Sequence, residues 1–110
     1  MRVTPGTIPI FPVPRETMFI GVCTIDLHIP GSGSLKAKRH SLRSLKDRIR
    51  NSFNVSVAEV SGHDLWQKAS IAVAAVSNDK AHLNRTLDYV LNKIRTIPDV
   101  DLLDYHIEMF

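Results

Sequence analysis

A chain of 110 residues, 44% hydrophobic and 23% charged, has the make-up of one soluble globular domain. No apolar run approaches the roughly 18 residues of a membrane span, and the single cysteine, Cys23, excludes an intramolecular disulfide and fits a reducing compartment. The net charge of +3 is unevenly spread: residues 31–53 carry +6 and everything else sums to −3.

Residues 1–17 hold four of the six prolines, too many for a helix and badly placed for an internal strand. They read as an extended arm, or as an extension appended to a domain covering 18–110, although the apolar residues of TIPIFPV also suit a sheet edge. From Met18 the periods change in order. MFIGVCTIDLHI is rich in β-branched residues and alternates Ile25, Leu27 and Ile29 against Thr24, Asp26 and His28, which predicts a strand. PGSGS is a turn, with Ser34 or Ser32 available as a helix N-cap. Leu35, Leu42, Leu45, Ile49 and Phe53 then recur at helical spacing.

FNVSVAEV reads as a second strand, SGHDLW as a connecting loop, and the almost wholly apolar QKASIAVAAV as a central strand. SND caps a second helix with Leu83, Leu87, Val90, Leu91 and Ile94 on one face. After Pro98, DLLDYHIEMF alternates as a last strand. The order β-α-β-β-α-β with right-handed crossovers predicts an α+β, ferredoxin-like domain: a four-stranded antiparallel sheet with both helices on one face.

Within the first helix, Lys36, Arg39, Arg43, Lys46 and Arg50 advance by three and four residues and so form one line beside the apolar face. Lys38 falls near the apolar stripe, where its stem can snorkel, and Arg48 lies on the opposite flank. Mutual repulsion along such a row makes it a poor device for solubility and a good complement to spaced phosphates. A solvated face whose cations pair with acids elsewhere is the plain alternative. The Ser32, Gly33, Ser34 loop opens the same helix and offers backbone N–H groups to an anion, although it lacks the last glycine of a dinucleotide fingerprint and turn chemistry explains it equally well.

Stacking recognition of RNA is not expected, because KASIAVAAV carries no aromatic residue and no GxxG loop occurs. Asp26, His28, Asp104, His106 and Glu108 should share the sheet face away from the helices; without metal-type spacing, a polar solvated face is the expected reading. His63, Asp64 and Trp66 sit in the second hairpin, where Trp66 either folds back on the sheet or anchors a partner. Cys23, mid-strand, is read as a core residue.

The run LHIPGSGSLKAKRHSLRSLKDRIRNSFNVSVAEV, continued by DLWQKASIAVAAVSND, resembles the YlxP-like family of small bacterial proteins of unknown function. The resemblance covers 18–110; family members start near Met18, so the Pro-rich arm departs from the pattern. It implies a ferredoxin-like fold, a cytoplasmic bacterial location and no assigned reaction. The family's genes often lie beside those for an initiation factor and a ribosome-binding factor, which implies a tie to translation. It supplies no catalytic residues, metal or cofactor.

The resulting expectation is a non-enzymatic module that binds RNA or the ribosome, with Lys36, Arg39, Arg43, Lys46 and Arg50 on phosphates and Ser32, Gly33 and Ser34 assisting. The alternative is a protein-interaction or homodimer module using the sheet edge or open sheet face, with His63, Asp64 and Trp66 at the contact. An enzyme acting on a phosphate ester at the PGSGS end ranks third, since no acid–base pair accompanies that loop.

Overall fold

The computed structural model describes residues 17–110, so all but the last residue of the proposed arm lies outside the described residues. Six elements follow in the order read from the periodicity: β1 (Phe19–His28), α1 (Leu35–Ser52), β2 (Ser56–Ser61), β3 (Lys68–Ser77), α2 (Lys80–Arg95) and β4 (Asp101–Met109). The strands form one antiparallel sheet in the order β2-β3-β1-β4. This is the ferredoxin-like arrangement.

Alternation along the central strands decides which face is covered. Cys23, Ile25 and Leu27 of β1 and Ala69, Ile71 and Val73 of β3 are buried beneath the helices. Leu42, Leu45 and Ile49 of α1 and Leu87, Val90, Leu91 and Ile94 of α2 complete that core. Helix α2 packs so closely that a Cβ on Gly21 would stand 2.9 Å from Leu87 Cδ1, which explains glycine in the middle of a strand.

Local chemistry sets the ends of the helices. Ser34 Oγ accepts from the Ala37 N–H at 3.1 Å at the start of α1, and Asp79 Oδ1 accepts from the N–H groups of Ala81 and His82 at the start of α2. The second strand begins three residues later than its apolar pattern suggests. The Phe53 N–H still bonds to the Ile49 carbonyl at 2.9 Å, so Phe53 closes α1 before the chain can pair with β3.

Candidate nucleic-acid interface

The basic row runs along the flank of α1 that borders β2, exposed at Lys36, Arg39, Arg43 and Arg50 and half-buried at Lys46. Among the described residues, no carboxylate lies within ion-pair distance of Lys36, Arg39, Arg43 or Lys46. The helix also has no acid in its first turn, where Lys36 and Lys38 occupy the positive end of the dipole. A cation there costs a few tenths of a kcal/mol to about 1 kcal/mol, so helix stability does not account for this choice.

Two cations are used differently from the sequence reading. Lys38 does not snorkel: it is fully buried, and its ammonium donates to the carbonyls of Gly62 at 2.6 Å and Lys68 at 3.1 Å. It also stands 3.4 Å from Glu59 Oε2, an oxygen that accepts no hydrogen bond among the described residues. Gly62 has φ +82°, a conformation that glycine adopts without strain, and this turn aims its carbonyl at the ammonium. Arg50 donates from Nη2 to the Val57 carbonyl at 2.7 Å, and its Nη1 lies 3.9 Å from Asp47 Oδ1. Its guanidinium is therefore committed to the edge strand, unlike the four cations before it.

By holding the β2–β3 turn against α1, Lys38 creates a groove of about 270 Å³ lined by Arg39, Leu42, Arg43, Lys46, Glu59 and His63. Glu59 reaches this side because it pairs with Ile71, whose side chain also points toward the helices. His63 Nε2 stands 3.6 Å from Glu59 Oε1. Arg39, Arg43 and Lys46 of the row thus form one wall of a cleft whose other side carries the Glu59 carboxylate and the His63 imidazole. Helical spacing reveals the wall and says nothing about the other side, which comes from residues far downstream.

The loop before α1 contributes less than its composition suggests. Ser32 is buried and its N–H is directed to the Ile29 carbonyl at 3.3 Å, while the Ser34 hydroxyl is occupied by capping. Gly33 remains exposed. Of the proposed hairpin contacts, His63 joins the groove, Asp64 is exposed, and Trp66 is 56% exposed rather than folded onto the sheet. Leu65 and Leu103 border a shallow hollow on the open face with Asp26, Lys68 and Ser70.

The polar groups of the open face do come from adjacent strands, with Asp26 opposite Asp104 and Thr24 opposite His106. They separate into local pairs: Ser70 donates to Asp26 at 2.7 Å, His28 Nδ1 lies 3.6 Å from Asp101, and His106 Nε2 lies 3.2 Å from Glu108. Among the described residues, no three His, Cys, Asp or Glu side chains gather closely enough to hold a metal ion. Cys23 is a core residue, as expected; burial pushes its thiol up to about 11, and the Asp88 charge adds to the shift. None of the described helices is long and apolar enough to cross a membrane.

Residues 20–107 match the family described as protein of unknown function DUF503. The chain is 37% identical over 82 residues to the uncharacterized protein YlxP of Bacillus subtilis (strain 168), an alignment spanning 74% of this chain and 89% of that protein. Among solved structures, the de novo designed protein Foldit4 aligns at TM-score 0.49 and 15% identity, over 84% of this chain and 96% of the design. The crystal structure of PA3566 from Pseudomonas aeruginosa aligns at TM-score 0.44 and 21% identity, over 86% and 92% of the two chains.

Proposed function

From the premise that the chain belongs to the DUF503 family, whose description assigns no activity, we propose a role on its own geometry: a non-enzymatic module that binds RNA or the ribosome through the α1 flank. The observation that carries this reading is the row Lys36, Arg39, Arg43 and Lys46, the first three exposed and Lys46 half-buried, all free of carboxylate partners within ion-pair distance among the described residues. Cations kept unneutralised, with the first at the unfavourable end of a helix, suit a ligand that brings its own regularly spaced negative charge. Arg39, Arg43 and Lys46 contact successive phosphates from the groove wall, and Lys36 extends the contact toward the exposed Gly33. Such contacts position a backbone and carry little base information, which accords with the absence of aromatic residues from β3.

The test is a double charge reversal, Arg39→Glu with Arg43→Glu, assayed for binding to ribosomal RNA. Both side chains are exposed, so the variant should melt as the wild type does while its affinity drops at least about tenfold. A correctly folded double variant that binds as tightly as the wild type discards the proposal.

One observation favours a second reading, self-association across the open sheet face. Leu65 and Leu103 border one hollow on that face, each more than half exposed, and Trp66, next to Leu65 in the chain, is 56% exposed. Sedimentation at several concentrations separates the two, because RNA binding by the α1 flank needs no dimer.

A further inference from the structure

One imidazole, that of His63, lines the groove opposite the α1 cations. We propose that His63 makes the groove's grip on phosphate pH-dependent, tightening it as the imidazole takes up a proton. This rests on the reading of the α1 flank as a phosphate-binding surface and adds a control to it.

The charged groups facing His63 come from three elements. Helix α1 supplies Arg39, Arg43 and Lys46 across the groove, with buried Lys38 beneath. Strand β2 supplies Glu59, whose Oε1 lies 3.6 Å from His63 Nε2, and the turn itself supplies exposed Asp64 next in the chain. An imidazole ordinarily changes charge between about pH 5 and pH 8, whereas the arginines and lysines around it do not.

Two effects of protonation act with the same sign. An imidazolium beside Glu59 adds, from the groove side, to the compensation that buried Lys38 already gives this carboxylate, and so lessens its opposition to an incoming phosphate. It also presents an additional N–H donor and positive charge on the rim facing Arg39 and Arg43. The proton comes from solvent, and no bond other than this N–H is made. Linkage makes the effect reciprocal: phosphate bound in the groove must raise the affinity of His63 for its proton by the same factor that protonation raises the affinity for phosphate. Each unit by which the ligand raises the imidazole's midpoint corresponds to about tenfold in binding.

The experiment uses the full chain and a labelled oligouridylate of about fifteen nucleotides, with anisotropy read at constant ionic strength near pH 8 and near pH 5.5. Wild type should tighten about three- to tenfold on acidification. His40→Gln, which removes an exposed α1 imidazole that does not line the groove, should keep that response; His63→Gln should flatten it. A His63→Gln variant with the wild-type pH response overturns the inference. If wild type binds the oligonucleotide at neither pH, the RNA reading fails by itself, and the groove is then read directly by NMR with tripolyphosphate as the probe. An upward shift of the His63 titration on adding tripolyphosphate supports the inference; an unmoved titration overturns it.

Discussion

Lys38 illustrates how a single residue can be misassigned by a helical wheel. Its position on the apolar stripe was legible, but its fate depends on carbonyls 24 and 30 positions downstream, which local periodicity cannot supply. The charge is tolerated in a site with no exposure because two main-chain oxygens and Glu59 surround the ammonium. Replacing it by an isosteric apolar residue, Lys38→Met, strands both carbonyls and leaves Glu59 mostly buried without a counter-charge. The expected loss is about 3–5 kcal/mol in urea denaturation. Combining Lys38→Met with Glu59→Met removes the orphaned charge and should recover part of that loss, giving a coupling of about 1 kcal/mol or more in the double-mutant cycle. A Lys38→Met variant within about 1 kcal/mol of wild type would mean that the ammonium does not hold the turn in place.

At the level of elements, the order and core faces were readable because β1 and β4 alternate, β3 is a nearly continuous apolar run and each helix repeats its apolar residues; Ile25, Leu27 and Ile29, or Leu87, Val90 and Ile94, are buried as their spacing requires. What the periodicity could not show is which cations α1 spends on its neighbour. Arg50 continues the basic row by angle, yet β2 is an edge strand and the Arg50 guanidinium covers one of its carbonyls. Edge carbonyls left open invite pairing with another chain, so this contact protects as well as stabilises. Arg50→Met should therefore cost about 1–2 kcal/mol of stability and barely alter RNA affinity. Arg39→Met should do the reverse, leaving stability within about 0.5 kcal/mol and weakening binding several-fold. Parallel thermal melts and anisotropy titrations on the two variants check this; equal losses of affinity would show that the row acts as five equivalent contacts.

Across the whole molecule the charge is polarised by topology. The order β2-β3-β1-β4 places the basic α1 flank beside one sheet edge and the acids Asp101, Asp104 and Glu108 on the other. Three strand spacings separate those edges by about 14 Å, more than the roughly 8 Å over which physiological salt screens exposed charges. Those edge acids therefore cannot cancel Lys36, Arg39, Arg43 and Lys46 through the fold, and of the +6 carried by residues 31–53 it is these four charges, not buried Lys38 or committed Arg50, that make the local field. A phosphate backbone neutralised by Lys36, Arg39, Arg43 and Lys46 releases counterions from four contacts. On single-stranded RNA the logarithm of the binding constant should then fall against the logarithm of salt concentration with a slope of about −3. Each genuine contact accounts for about 0.7 of that slope, so Arg39→Met should bring it to about −2 while Arg50→Met leaves it where it was. Titrations over a range of potassium chloride concentrations read both numbers. A wild-type slope near zero would mean that whatever RNA affinity exists does not come from phosphates, and the exposed Trp66 end of the sheet would become the surface to mutate next.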